Sequence, residues 1–285
     1  MAVGIMCAKI NWVDEHTNKK LSTILLMMIN PIAIFLSYQR SFETELLLGL
    51  GIAFGLSLIS FVFTIFVSEI IYRKKNHDFS IEKFSLVYTN SGFMGIPLVN
   101  GIFGSEGVFY LTAYLTAFFI FFWTHGMITM SGKKDIQAIK KAIVSPPMWA
   151  IYIGFILFIA NIQLPAIIYL PMRTLANINT PLAMIVAGAS IFGTSIKKLV
   201  QDKRLWIISL LKLVLLPLIQ IVFFNLFELP SLVVGTVVVL AACPVAANII
   251  MFAYRYDKNP VFASQSFAVT TVLSLVTIPV LLFFL

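Results

Sequence analysis

A succession of long apolar runs separated by short charged breaks constrains this chain more than any other feature. Nine runs approach or exceed the about 20 residues that a helix needs to cross a bilayer. They cover residues 20–38, 44–72, 82–103, 107–130, 147–163, 173–195, 204–226, 230–254 and 260–285, after a short apolar run at 1–8. Charged residues make up 11% of the chain, against roughly 25% in a soluble domain. The pattern therefore predicts an all-α polytopic membrane protein.

The basic residues lie almost entirely in alternate breaks between these runs. Seventeen of the 20 Lys and Arg fall in one set of breaks, Arg40 and Arg173 fall in the other, and Lys212 lies inside a run. Because cytoplasmic loops carry an excess of Lys and Arg, the basic breaks are predicted to face the cytoplasm. Both termini are then predicted to be extracytoplasmic, with the short first run counted as a span. The net charge of +8 is explained by this topology, so no nucleic-acid partner is expected.

One apolar run is interrupted by polar and helix-breaking residues at 88–104, YTNSGFMGIPLVNGIFG. Pro97 removes a backbone donor and clashes with the preceding turn, while Gly92 and Gly95 weaken the helix before it. Backbone groups released at membrane depth are tolerated only where protein covers them or where they line a wet cavity. The stretch therefore predicts a broken helix with a polar gap, which is where secondary transporters bind their substrates.

Two pairs of prolines recur at nearly equal offsets along the chain. Pro31 and Pro181 are 150 positions apart, and Pro97 and Pro244 are 147 positions apart. The asparagines that accompany them are Asn30, Asn179, Asn90 and Asn248. Two repeats of five helices each would lie in opposite orientations in the membrane, as in many secondary transporters. The predicted first repeat covers 1–130, a cytoplasmic linker covers 131–146, and the second repeat covers 147–285.

A second gap, AACPVAANII at 241–250, is predicted to face the first near the centre of the bilayer. Helix N-termini that end there carry partial positive charge and free N–H groups, which suit a carboxylate. A basic residue inside a span, here Lys212, is interpreted either as a counter-charge for an anionic substrate or as a partner to the polar backbone of the crossing. The predicted substrate-binding residues are Asn90, Gly92, Asn100, Lys212, Cys243 and Asn248. The predicted helix-break or hinge residues are Gly95, Pro97, Pro244, Pro31 and Pro181.

The sequence holds no Asp or Glu near the middle of any predicted span. Carboxylates at that depth are the usual proton or sodium relay, so their absence favours an anion driven by membrane potential, at about 2.3 kcal/mol per charge per 100 mV. His125 is interpreted as a packing residue, because no Cys, Asp or Glu accompanies it at metal-ligand spacing. No nucleophile–base pair, phosphate loop or metal motif is present, so the chain is predicted to be a transporter and not an enzyme, with no metal or cofactor.

A resemblance to the auxin efflux carrier family of membrane transporters is carried by NSGFMGIPLVNGIFG at 90–104, NINTPLAMIVAGASIFG at 177–193 and CPVAANIIMFAYRYDKNP at 243–260. The resemblance implies ten helices in two inverted five-helix repeats, with the fourth and ninth helices broken and crossed as in bile-acid transporters and antiporters. It also implies a scaffold domain and a transport domain that move relative to each other, and a carboxylate substrate of the malonate or auxin kind. Members of the family have further residues before this start, so the first helix is expected to be truncated.

The expected function is alternating-access transport of a small organic anion across the cell membrane, by potential-driven efflux. The anion is expected to bind where the fourth and ninth helices cross, within the lipid bilayer. Two alternatives stay open: a sodium- or proton-coupled organic-anion symporter, and a non-transporting membrane sensor of the same fold. The substrate, the direction of transport and the formation of a homodimer are also left open.

Overall fold

A computed structural model describes residues 2–73, 78–132, 140, 143–192 and 202–285. Within these ranges the protein is built of helices, numbered here α1 to α12. The first six are α1 Ala2–Lys9, α2 Glu15–Ser37, α3 Thr44–Ile71, α4 Ser80–Val87, α5 Ser91–Ser131 and α6 Pro146–Ile159. The others are α7 Ala166–Asn177, α8 Asn179–Ile191, α9 Lys203–Phe224, α10 Ser231–Ala241, α11 Asn248–Arg255 and α12 Pro260–Leu281. The all-α prediction is confirmed, while most of the predicted linker at 131–146 lies outside the described residues.

Five of the described helices, α2, α3, α5, α9 and α12, are long and apolar enough to cross a membrane. Helices α6 and α10 are apolar but shorter. Helix α5 holds the end of one predicted span and all of the next, because Gly104, at φ 67° and ψ −160°, turns the chain inside it. Only glycine adopts such a backbone readily, so this residue replaces a loop between the fourth and fifth predicted spans.

The prediction of a single helix over 173–195 is wrong in its first part. Helix α7 begins at Ala166 and ends at Asn177, and α8 begins at Asn179. Pro181 provides the reason, because a proline ring clashes with the carbonyl of the fourth residue before it, here Asn177. Helix α7 has no buried residue and lies on the surface of the protein. The end of the predicted span, at 193–195, lies outside the described residues.

The helices pack as two groups. In the first group, α1 packs along α8, and α2 packs against α6, α7 and α8. A Cβ atom at Gly4 would overlap the carbonyl of Ile185, so α1 and α8 approach each other backbone to backbone, as helices in membranes do at small residues. In the second group, α3 packs against α4, α5 and α10, while α9 and α11 pack against α12. Helix α5 also contacts α2 and α8 and so joins the two groups.

Two unwound segments meet inside the protein, one between α4 and α5 and the other between α10 and α11. Thr89 and Val245 form an isolated antiparallel β-bridge, and the N–H of Asn90 donates to the carbonyl of Pro244 at 2.8 Å. The N–H of Val245 donates to the hydroxyl of Thr270 on α12 at 3.1 Å. These bonds satisfy peptide groups that two helix breaks would otherwise leave unpaired in a membrane. The fourth and ninth predicted helices are therefore broken and crossed, as the resemblance implied.

Candidate functional site at the helix crossing

Asn90 is the residue from which α5 starts. Its carbonyl accepts the N–H groups of Met94 and Gly95 at 3.0 and 3.2 Å. The residue is only 3% exposed, and its Nδ2 has no hydrogen-bond partner among the described residues. The hydroxyl of the neighbouring Ser91 is also buried and has no partner in this part of the chain. Leaving a buried donor unpaired costs about 1–3 kcal/mol, so these groups indicate a place for an acceptor that is not part of the chain.

Two more asparagines reach the same segment from the first packing group. Nδ2 of Asn179 on α8 donates to Oδ1 of Asn30 on α2 at 2.5 Å, and Nδ2 of Asn30 donates to the carbonyl of Gly92 at 2.8 Å. Both residues are buried, and Oδ1 of Asn179 has no hydrogen-bond partner within the described ranges. The predicted binding residues did not include this amide pair. The available signal was that each asparagine stands one or two positions before a proline of the first proline pair.

Apolar side chains on the same helices as these amides pack together. Leu25 and Ile29 on α2, Ala183 and Val186 on α8, and Phe93 on α5 form one buried cluster. Small-molecule sites commonly combine such apolar walls with a few polar groups that fix the orientation of the ligand. We call the polar groups of Asn30, Asn90, Ser91, Gly92 and Asn179 the amide cluster. It lies where the two packing groups of helices meet.

Three prolines follow wide π-helical turns and so do not break their helices. Pro31, Pro97 and Pro217 are each the second residue after a five-residue π turn. A π turn changes the hydrogen-bond partners just before the proline, which accommodates its ring and its missing N–H. The chain is helical from Ser91 onward, and the break precedes it, at 88–90. The prediction that Pro97 marks the break is therefore corrected.

Pro244 does lie in its break, and its carbonyl accepts the N–H of Asn90. Pro97 and Pro244 are consequently not equivalent, and their offset of 147 does not align the two breaks. The bridge partners Thr89 and Val245 are 156 positions apart (245 minus 89). The division of the chain into repeats at 1–130 and 147–285 stays a prediction.

The other predicted residues lie in different surroundings. Asn248 begins α11 and is half-buried, and Cys243 is a buried free thiol in the second break. A Cβ atom at Gly95 would lie 2.6 Å from Cδ2 of Leu240, so this glycine allows α5 to approach α10 closely. Asn100 is exposed on α5, outside the amide cluster. Substrate binding stays a prediction for Asn248, Cys243 and Asn100, and a hinge role stays a prediction for Gly95.

Lys212 lies in the π turn Leu211–Leu215 of α9 and is 1% exposed. Its Nζ donates to the carbonyl of Leu86, in the last turn of α4, at 3.0 Å. A cation at that position balances the partial negative charge of a helix C-terminus. The cavity beside it leaves about 10 Å³, room for one water molecule, and is lined in part by Ser60, Thr64, Thr89 and Gln220. Of the two predicted roles, this geometry fits the bond to the polar backbone of the crossing.

Tyr88 joins the end of α4 to the crossing. Its carbonyl accepts the N–H of Ala246 at 3.0 Å, and its hydroxyl donates to the carbonyl of Phe121 at 2.9 Å. The buried ring lies on Gly126, where an added Cβ atom would come within 2.8 Å of two ring carbons. The glycine is therefore required for the position of the ring.

We expect Gly126→Ala to lower the free energy of unfolding by about 1–3 kcal/mol, as overpacking of a buried site does. The Tyr88 ring cannot move aside without loss of its hydrogen bonds. Thermal unfolding in detergent would measure the effect. Gly101→Ala, in the same helix with no other atom near the added Cβ, is the matched control and should not be destabilised. Equal unfolding temperatures for the two variants would contradict this account of the ring.

Several membrane-spanning helices, with two broken helices whose unwound segments pair beside buried polar groups, place the protein in the class of membrane transporters. The chain belongs to the membrane transport protein family, which is the auxin efflux carrier family, and the family model matches residues 1–282. The resemblance identified from the sequence is thereby confirmed. The family is one of transporters and is not known for enzymes.

Two archaeal relatives are similar to most of this chain. An uncharacterized transporter from Methanothermobacter thermautotrophicus is 29% identical over 192 residues, which cover 67% of this chain and 63% of the relative. An uncharacterized transporter from Methanocaldococcus jannaschii is 23% identical over 280 residues, which cover 93% of this chain and 88% of the relative. Both relatives are named as transporters, this chain spans less than two thirds of the length of the first, and neither name specifies a substrate.

Proposed function

We propose that the protein is a secondary transporter that moves a small organic anion of the malonate type across the cell membrane by alternating access. The observation that carries the proposal is the buried amide of Asn90, which stands at the N-terminus of α5 and whose Nδ2 has no acceptor among the residues that the structure describes. A substrate carboxylate would supply the missing acceptor. Hydrogen bonds that involve a charged group are stronger than neutral ones, at about 1.5–3 kcal/mol net.

The charges around the crossing favour an anion over a cation. Helices α5 and α11 both begin there, and the first N–H groups of a helix have no partner within it. Together with the helix dipole they form a site that attracts negative charge. Among the described residues, the buried carboxylate of α4 is Glu82, near the opposite end of that helix, where it pairs with Arg204 at 3.3 Å. No described carboxylate belongs to the amide cluster.

The position of the amide cluster supports alternating access. Asn30 and Asn179 belong to the first packing group, whereas Gly92, which accepts from Asn30, belongs to the second. A substrate bound there contacts both groups. If the first group is the scaffold, a movement of α3–α5 and α9–α12 against it carries the substrate between the two sides of the membrane.

The proposal predicts that purified protein in liposomes takes up labelled malonate in response to membrane potential alone. The potential would be set with potassium and valinomycin, at equal pH and equal sodium on both sides. Uptake should be faster when the interior is positive, because each negative charge gains about 2.3 kcal/mol per 100 mV. Empty liposomes are the control.

Other outcomes of this experiment would favour one of the alternative functions. Uptake that requires a sodium or proton gradient and ignores potential would replace potential-driven transport by the coupled symporter alternative. Absence of malonate flux under all these gradients, with correctly folded protein, would contradict transport of this anion. A membrane sensor of the same fold would then be the better interpretation.

A further inference from the structure

A polar pocket of about 480 Å³ opens at the predicted cytoplasmic end of the protein, away from the amide cluster. Its walls come from the end of α3, the segment before α4, the first turn of α4 and the end of α5. They include Glu69, Tyr72, Arg73, Asp78, Lys83, His125 and Thr129. One of these groups, His125, connects the pocket to the helix crossing. The sequence prediction had interpreted this histidine as a packing residue.

The local backbone at His125 is unusual. It lies in the π turn Phe122–Gly126 of α5. Of the four π turns in the described part of the chain, this is the one that no proline follows. π turns occur frequently at functional sites. The turn places the imidazole between the ring of Tyr88 and the pocket, with 25% of the side chain exposed.

Both ring nitrogens of His125 have polar neighbours. Nδ1 lies 2.9 Å from the hydroxyl oxygen of Tyr88. The hydroxyl of Tyr88 is also within hydrogen-bonding distance of the carbonyl of Phe121, and which partner of the Nδ1–Tyr88 bond donates depends on the tautomer of His125. Thr129 lies 3.4 Å from Nε2, but its hydroxyl donates to the carbonyl of His125 at 2.8 Å.

Nε2 faces a carboxylate oxygen that has no other described partner. Oε1 of Glu69 lies 3.9 Å from Nε2, and Oε2 of the same carboxylate accepts from Lys83 at 2.6 Å. When both ring nitrogens carry a proton, this contact becomes an ion pair between the imidazolium and the carboxylate. The geometry is thus prepared for a second proton on the ring.

Asp78, another charged residue of the pocket, has a partner of its own. It pairs with Lys258 at 2.7 Å. Partial burial acts to raise the pKa of Asp78, but the hydrogen bonds from Lys258 and Ser80 hold it below its ordinary value, so Asp78 stays ionised near neutral pH. Lys83 and Glu69 are thus the charged groups that act on His125 from α4 and α3, with opposite signs, and Tyr88 is its neutral partner. His77, Lys74 and Lys75 lie outside the described residues.

We propose that His125 is a proton-binding site, filled from the pocket at the predicted cytoplasmic end, that links the pH on that side to the helix crossing through Tyr88. The proton comes from water in the pocket and returns to it, and no covalent bond changes. Tyr88 transmits the change because its hydroxyl bonds His125 and its carbonyl bonds Ala246 of the second broken helix. Dependence of transport on this proton rests on the proposed function, whereas proton binding itself does not.

The first experiment measures proton binding without transport. Protein with ¹³C-labelled histidine would be placed in lipid nanodiscs and titrated by NMR from pH 5 to pH 9, and the His125 signal identified by its loss in His125→Gln. Glu69→Gln should lower the titration midpoint and Lys83→Met should raise it, each by roughly half a pH unit to one unit. Opposite shifts from two neighbouring substitutions are not expected of a histidine that only packs. Absence of titration, or shifts of the same sign, would overturn the proposal.

The second experiment measures labelled malonate flux while the pH on the predicted cytoplasmic side is varied. The flux should change with the midpoint found by NMR, and His125→Gln, whose amide does not titrate, should remove that dependence. His16→Gln, at an exposed histidine, is the matched control and should keep the full pH profile. A profile retained in His125→Gln, or lost in His77→Gln instead, would overturn the link to transport. Absence of malonate flux in every variant would count against the proposed function, while the NMR titration would still decide proton binding.

Discussion

Replacement of Asn90 by alanine is expected to abolish malonate flux and to leave the fold intact. The fold should persist because the side-chain Nδ2 bonds no group of the described part of the chain. The backbone N–H of Asn90, which donates to Pro244, and its carbonyl, which accepts from Met94 and Gly95, are kept in alanine. The substitution therefore removes a donor from the amide cluster without removing a hydrogen bond of the crossing.

The expected size of the effect follows from the bond that is lost. A hydrogen bond to a charged group contributes about 1.5–3 kcal/mol, which corresponds to roughly 10- to 150-fold weaker malonate binding. Isothermal titration would measure this loss of affinity, and liposome uptake would measure the loss of flux. The thermal unfolding temperature should change little, since the cavity left by one small side chain is modest.

Asn100→Ala is the matched control for this prediction. It removes the same amide from the same helix, but at an exposed position. Flux should therefore remain near that of the unmodified protein. Unchanged flux in Asn90→Ala would remove the amide cluster from the transport pathway. Equal losses in both variants would indicate that the binding site extends along α5, as the sequence prediction for Asn100 implied.

The broken and crossed helices were predictable because their sequence signals are local. Asparagine, glycine and proline within an apolar run are costly in a continuous membrane helix, and this chain has two such stretches. The exact place of the first break was not predictable in the same way. Pro97 is the stronger helix breaker, yet the π turn before it keeps the helix continuous. The break lies instead around Thr89, which pairs with Val245.

The amide cluster was only partly predictable, because its contacts join distant parts of the chain. Asn90 stood out within its own stretch. Asn30 and Asn179 are 149 positions apart and bond each other only because α2 and α8 pack side by side. The role of Lys212 was not predictable either, because a buried lysine can pair with an anionic substrate or with the carbonyl groups at a helix C-terminus. The hydrogen bond from Lys212 to the carbonyl of Leu86 distinguishes between these two roles. No sequence pattern indicates this bond.

Replacement of Lys212 by methionine is expected to destabilise the protein and to leave malonate affinity within about twofold of its original value. Methionine keeps the length of the side chain but cannot donate to the carbonyl of Leu86. An unpaired buried carbonyl costs about 1–3 kcal/mol. The loss of a cation from a helix C-terminus adds up to about 2 kcal/mol. Removal of a buried charge recovers part of this cost, so we expect a net loss of about 1–3 kcal/mol.

The distinction between the two roles of Lys212 depends on measuring stability and affinity in the same variant. Lys203→Met, at an exposed position in the first turn of α9, is the matched control and should change neither quantity. If Lys212 were a counter-charge for the substrate, malonate affinity would fall at least tenfold while the unfolding temperature stayed the same or rose. A lower unfolding temperature with unchanged affinity would instead place Lys212 in the crossing itself. Asn90 would then be the better candidate for contact with the anion, and Lys212 the cation that holds α4 against α9.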